Sequence, residues 1–263
     1  MVTFLPDVFP MRGEYRTCID LNGMWSLRRD PGNVGLGSGW HEGRGKFRQK
    51  MEVPGVPQAQ GVGEPATNLK TFFDEPFWIR RKFEVPFLPE GKRLWLRIGG
   101  ILPAADIYLN GIHVGYTKSS RTPQRIDVTE LVVIGKENLI AIRVCEPPEV
   151  RLDGVYEMPA LTYNWTGPYG PISFEVTGDP SIVDLYARPD LESSGIRLSV
   201  SISHPAKEPC CLVAIVRDGQ RTMGTARIEL GTGSDHADTF LGIGEYRTWS
   251  PEDPCLYDLQ ISL

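Results

Sequence analysis

Short runs of alternating apolar and polar residues recur along the chain, separated by Gly, Pro, Asn and Asp. Period-two alternation of this kind predicts β-strands with one face buried and one face wet. In the run from Arg93 to Ile98 the residues Leu94, Leu96 and Ile98 share a face, and Ile140, Ile142 and Val144 do so in the run from Leu139 to Val144. The stretch from Arg197 to Ile202 alternates just as cleanly. A single wet face suits antiparallel sheets better than parallel sheets covered on both sides. Between Ile107 and Val114 the pair Asn110-Gly111 joins two β-prone runs, which predicts a type I′ hairpin because both central residues need positive φ. No segment carries the apolar spacing of an amphipathic helix over several turns. The predicted fold class is all-β.

Two textures divide the chain. Residues 1 to about 178 hold five of the six tryptophans and long connections at 30–50, 54–76 and 146–170. Beyond residue 181 the predicted strands are shorter and evenly spaced, at 182–188, 196–203, 211–217, 222–230, 238–243 and 255–263. Such spacing over ~80–100 residues suits an immunoglobulin-like β-sandwich. The longer first region, with loops of functional length, suits a jelly-roll β-sandwich. The seam is read at Gly178-Asp179-Pro180, giving domains of residues 1–179 and 180–263.

Composition narrows the function classes. Glycine and proline number 28 and 22, about one residue in five against the ~12% of average sequence, which further disfavours long helices. No apolar run approaches the ~20 residues of a membrane-spanning helix, and no signal-like core follows Met1. The compartment stays open, cytoplasmic or exported. Twenty-eight basic against 33 acidic residues give a net charge of −5, which argues against a nucleic-acid binder. The run Arg44 to Lys50 is a local basic stretch, read as a solvated loop. Cys18, Cys145, Cys210, Cys211 and Cys255 form no C-x-x-C pair and are read as mostly packed thiols, with a Cys210 or Cys211 bridge to Cys255 left open. His41, His113, His204 and His236 lie far apart, and neither a metal nor another cofactor is expected. Gly35-x-Gly37-x-Gly39 lacks the spacing and the helix of a dinucleotide fingerprint.

An ordered series of short motifs then stands out. Arg16 to Trp25 is one, Asp30-Pro31 with Gly35 to Trp40 the next, then Val53-Pro54-Gly55, then Phe77 to Pro86. The hairpin Ile107 to Gly115 follows, then Arg125-Ile126-Asp127-Val128-Thr129 with Gly135-Lys136-Glu137-Asn138, and Trp249 to Tyr257 closes the series. In this order they resemble the N-terminal half of glycoside hydrolase family 2, which includes β-galactosidases, β-glucuronidases and β-mannosidases. The resemblance implies a sugar-binding-type jelly roll followed by an immunoglobulin-like domain. It also implies a parent enzyme that cleaves β-glycosides with retention, using two glutamates on a (β/α)8 barrel that would begin just past Leu263. Both glutamates are therefore expected to lie outside this sequence, which has no catalytic residue of its own. Implied partners are a carbohydrate, the barrel, and further subunits in a homo-oligomer. A stand-alone carbohydrate-binding or adhesion module is the rival reading.

Candidate residues follow from sugar chemistry. Glu146, Glu149, Asp153 and Glu157 crowd one loop, but prolines and Arg151 interrupt them, and solvated loop acids are the ordinary case. The same loop continues into Tyr163, Asn164, Trp165 and Tyr169, which offer aromatic faces for C–H stacking and an amide for hydroxyls. By the resemblance, Asn164 stands where the family places an acidic residue reaching into the barrel's pocket, so the charge is absent here. Asn164, Trp165 and Tyr169 are substrate-edge candidates, with plugging of the domain–barrel contact as the structural alternative. Asp74 is a further candidate, beside its plainer role as a turn former ahead of Pro76. Arg81 is expected to face inward and to pair within the chain, with an acid such as Asp106 or Asp127, a ligand contact being the alternative. Trp78 and Trp95 are expected to be exposed, for a sugar or for a neighbouring domain.

Overall fold

A computed structural model of the chain describes residues 17–62, 76–117, 122–145 and 166–263. The chain divides into two compact units, Met1–Thr177 and Gly178–Leu263. Nearly all regular structure in both is antiparallel β.

Among its described residues, unit 1 holds two sheets. The strands β1 (Thr17–Asp20), β2 (Gly23–Arg29), β3 (Gln49–Val53), β4 (Phe77–Glu84) and β5 (Arg93–Ile98) are followed by β6 (Ala104–Leu109), β7 (Ile112–Thr117), β8 (Gln124–Asp127), β9 (Glu137–Cys145) and β10 (Ile172–Thr177). One sheet has the order β3-β2-β4-β9-β6-β7, the other β1-β10-β5-β8. Their inner faces meet in one core. Leu94, Leu96 and Ile98 from β5 join Ile140, Ile142 and Val144 from β9, as their alternation predicts. Phe83 and Phe174, one from each sheet, meet with ring centroids 4.8 Å apart and planes tilted by 45°. Each such buried apolar side chain contributes roughly 1.5–3 kcal/mol by leaving water.

The Asn-Gly hairpin forms where predicted, with Asn110 at φ 50° and Gly111 at φ 85°. Asn110 does more than turn the chain. Its Nδ2 donates to Leu131 O at 2.9 Å and to Asn138 Oδ1 at 2.7 Å, and its Oδ1 accepts from Leu139 N at 2.9 Å. Asn138 is buried and also bonds both backbone groups of Val133. Two of the sequence motifs are thus halves of one clasp.

The outer face of the six-stranded sheet is not wet throughout, because residues 30–46 fold back over it. Buried Asp30 organises this cover: Oδ1 accepts from Val34 N at 2.8 Å, and Oδ2 from Gly35 N and Trp78 Nε1, each at 2.9 Å. Glycine is required at 35, where a Cβ would stand 2.3 Å from Trp78 Nε1. Trp40, Trp78, Tyr108 and Ala141 form a small second core beneath the loop. The expected exposure of Trp78 is therefore wrong, since it is fully buried. Trp95 is only half-buried, and it donates to Thr177 Oγ1 while the Arg125 guanidinium lies 3.8 Å over its ring. Arg81 also departs from expectation. Its Nη1 donates to the carbonyls of Leu21 (2.8 Å) and Asn22, while Asp106 pairs with Arg143 and His113, and Asp127 with Arg93.

Unit 2 is a smaller sandwich. One sheet orders β11 (Ile182–Asp190), β12 (Gly195–Ile202) and β15 (His236–Gly242); the other orders β14 (Arg221–Leu230), β13 (Cys210–Asp218) and β16 (Asp258–Ser262). Leu198, Val200, Leu212, Ala214, Val216 and Leu241 are buried between them. The strand predicted over 255–263 begins only at Asp258. Before it, Ser250 N bonds Asp253 O at 3.0 Å and Asp253 N bonds Ser250 Oγ at 3.0 Å, so Ser250–Asp253 is a turn and Pro254 cannot donate to a ladder. All five cysteines are free thiols, so the bridge to Cys255 does not form.

Candidate functional site

Of the four candidates, Asn164, Trp165 and Asp74 lie outside the described residues, as do Glu146, Glu149, Asp153 and Glu157. The structure does describe residues that flank these segments, and several of them come together in unit 1. After β3 a 3-10 turn spans Pro57–Gln60, and Gly55 N donates to Pro168 O at 2.8 Å. The Gln58 amide grips Thr166, donating from Nε2 to Oγ1 at 3.0 Å and accepting at Oε1 from the backbone N at 3.4 Å. Thr166 directly follows Trp165, and Gln58 lies a few residues ahead of segment 63–75.

The next residues tighten the same junction. Leu102 and Gly167 exchange both backbone hydrogen bonds, at 3.1 and 2.7 Å. Gly167 has φ 123°, a conformation open to glycine, and a Cβ there would lie 3.2 Å from Pro57 and 3.5 Å from the Phe77 ring. Phe77 opens β4 just after the segment that carries Asp74. Residues flanking segments 63–75 and 146–165 are therefore held against each other by Gln58, Pro57, Phe77 and Gly167. Sequence reasoning missed Gln58. A polar residue following Val56-Pro57 was the available signal, though nothing in it points to a partner 108 residues away.

Tyr169 follows in the chain, half-buried. Its ring lies against the glycine turn at 99–100, where a Cβ on Gly100 would stand 2.5 Å from Cζ and 2.6 Å from Oη. Gly170 N bonds Gly100 O and Gly99 N bonds Pro171 O, at 3.1 and 2.8 Å, which fixes the segment that bears the ring.

A second polar group surrounds Cys145, the last described residue before segment 146–165. Arg143 Nη1 donates to Asp106 Oδ2 at 3.0 Å and to Cys145 Sγ at 3.2 Å, and Nη2 reaches Asn33 Oδ1 at 2.9 Å. Burial pushes the Cys145 thiol above its ordinary range, against the pull of Arg143, which favours the thiol over the thiolate. Burial likewise raises Tyr108. Among the described residues, no group of three or more His, Cys, Asp or Glu is placed to hold a metal ion.

The sequence profile of the family described as "Glycosyl hydrolase 2 galactose-binding domain-like" matches residues 44–176, just over half of the chain. The chain belongs to this family. Its matched span runs through the Val53-Pro54-Gly55 end of β3, the β4 strand, the Asn-Gly hairpin and the Asn138 clasp. Similar curated relatives of this glycosyl hydrolase 2 chain include a "Beta-glucuronidase" of Paenibacillus borealis, 27% identical over 97% of this chain and 44% of the relative. A "Beta-galactosidase large subunit" of Leuconostoc lactis is 26% identical over 82% of this chain and 32% of the relative. Among solved structures, a β-glucuronidase of Ruminococcus gnavus superposes with a TM-score of 0.74 over 97% of this chain and 42% of that chain, at 19% identity, a likeness of fold. The chain spans less than half the length of these relatives and corresponds to their N-terminal, non-barrel part. The all-β sandwich reading and the family 2 resemblance both hold.

Proposed function

We propose that this chain works as the non-catalytic N-terminal part of a retaining β-glycosidase, with residues 1–179 as a jelly-roll domain of sugar-binding type and residues 180–263 as an immunoglobulin-like domain. Its task is to present Asn164, Trp165, Tyr169 and Asp74 at the rim of a substrate pocket whose two glutamates belong to a (β/α)8 barrel packed against it. The observation that carries this reading is the junction at Gln58. Described residues that flank two segments far apart in sequence, each bearing a rim candidate, are tied side by side. An amide at position 164 would bond a sugar hydroxyl without contributing charge.

The decisive experiment is kinetic. In the full-length parent enzyme acting on aryl β-glycosides, Asn164→Ala and Asp74→Ala are expected to raise KM or lower kcat/KM by about tenfold, the cost of one substrate hydrogen bond, with an unchanged melting temperature. Unaltered kinetics in both variants would make these side chains structural. The 263-residue chain alone is expected to turn over none of these substrates, and measurable hydrolysis by it would overturn the reading.

A further inference from the structure

Unit 2 carries a second surface with the chemistry of a binding site. The sheet β11-β12-β15 turns Leu198 and Val200 into the core, so its other face looks outward. Register sets that face as three cross-strand rows: Arg188–Arg197–Phe240, then Tyr186–Ser199–Asp238, then Asp184–Ser201–His236. The first row sets two guanidinium-bearing residues directly opposite one another. A sheet face shaped for stability alone avoids this, because like charges on opposed residues repel. Asp190 offsets one of them, accepting from Arg197 Nε at 2.9 Å and Nη2 at 2.8 Å. Arg188 is exposed and makes no hydrogen bond or ion pair among the described residues.

Two aromatic residues flank this pair on the same face. Phe240 packs against Gly195, where a Cβ would stand 2.4 Å from Cζ and 2.7 Å from Cε2. The Arg197 guanidinium carbon lies 5.7 Å from the ring centroid, and the side chain remains 41% exposed. Tyr186, in the next row, is 63% exposed. A shallow depression of about 450 Å³ runs between them, lined by Tyr186, Arg188, Arg197, Ser199, Asp238 and Phe240. His236 Nε2 lies 3.3 Å from Ser199 Oγ and 3.2 Å from Asp238 Oδ1, which steadies both polar groups on the floor of the depression.

We propose that this face of unit 2 binds a saccharide bearing a carboxylate or sulfate group. Flat aromatic faces stack on the C–H surface of a pyranose ring. Ser199 and Asp238 exchange hydrogen bonds with its hydroxyls. The uncommitted Arg188 fork takes the anionic group, a planar bidentate match for a carboxylate and a strong one for a sulfate. The volume falls within the ~300–1,000 Å³ of small-ligand sites. The inference does not rest on the pocket-rim reading, which concerns unit 1.

The test is calorimetric titration of the whole 263-residue chain with three probes: a galacturonic acid tetrasaccharide, a sulfated galactan tetrasaccharide and a neutral galactan tetrasaccharide. At least one anionic probe is expected to bind with Kd at or below about 1 mM, and the neutral one about tenfold more weakly. The anionic probe that binds identifies the group recognised. Arg188→Ala and Tyr186→Ala should each weaken binding about tenfold with unchanged melting temperatures, since both side chains are exposed. Arg227→Ala, exposed on β14 and paired with Glu229, should leave it unchanged. The proposal fails if no anionic probe binds up to about 10 mM, or if Arg188→Ala and Tyr186→Ala bind as the parent chain does. It fails equally if sedimentation shows a dimer of this chain that Arg188→Ala dissolves, for the face would then be a contact between copies.

Discussion

Asp30 shows how much one side chain can organise. Its two carboxylate oxygens accept three N–H groups, two from the covering loop and one from the Trp78 indole. Removing it strands the buried Gly35 N–H and Trp78 indole N–H, at ~1–3 kcal/mol for each unsatisfied buried group. Asp30→Ala is expected to lower the unfolding free energy by about 3 kcal/mol or more, read by urea denaturation followed through tryptophan fluorescence. Asp30→Asn keeps an acceptor oxygen and should lose distinctly less. Equal losses in the two variants would mean that the acceptors are not what holds the loop. At this scale the sequence was only partly legible. Arg81 was correctly assigned to the inward face, but its partners are main-chain carbonyls of Leu21 and Asn22. Carbonyls are offered by every residue and leave no mark in the sequence, whereas Asp106 and Asp127 were visible as acids and had other partners.

The strands themselves were the most legible part, because period two is a direct readout of which face meets the core. β5, β9 and β12 fall on the runs that predicted them. Alternation says nothing, however, about what covers the other face. Trp78 lies on the outer side of β4 and is nonetheless fully buried, because a loop of irregular backbone dries that side. The candidate site was readable only in part for a similar reason: Tyr163 to Tyr169 stood out by residue type, while the Gln58–Thr166 grip that roots the segment is a long-range pairing without a local pattern. The hairpin supports a sharper expectation. Gly111 has φ 85°, where a β-branched side chain is strained, and an added Cβ would stand 3.4 Å from Glu42. Gly111→Val should cost roughly 1–2 kcal/mol, seen as a lower urea midpoint with an unchanged slope. A midpoint equal to the parent's would show that the turn can rearrange without loss.

At the scale of the whole molecule, a group whose titration is shifted by folding couples stability to pH. His204 is one such group. Its Nε2 hydrogen-bonds Asp179 and its Nδ1 lies 3.2 Å from Pro205 O, an arrangement that raises its pKa, mainly through the bond to Asp179. Because the folded-state value lies above the unfolded one, the protonated form is favoured by folding. The resulting stabilisation is complete below the unfolded pKa of ~6.5 and disappears as pH rises through the higher folded value. Asp190 works at the other end of the scale. The Ser193 backbone N–H first, and then Arg197, hold its carboxyl below the usual range, so its contribution is present above ~4 and is lost as pH falls through the lowered value. Both residues belong to unit 2, which should therefore be most stable between these limits, at mildly acidic pH. The expected measurement is a melting temperature for the unit 2 transition that falls between about pH 6 and pH 8. In His204→Gln, which keeps a hydrogen-bond donor but cannot carry charge, this fall should flatten, and its lower stability should show mainly on the acidic side. If the variant retains the parent's full slope over that interval, the His204–Asp179 pair is not the titrating element.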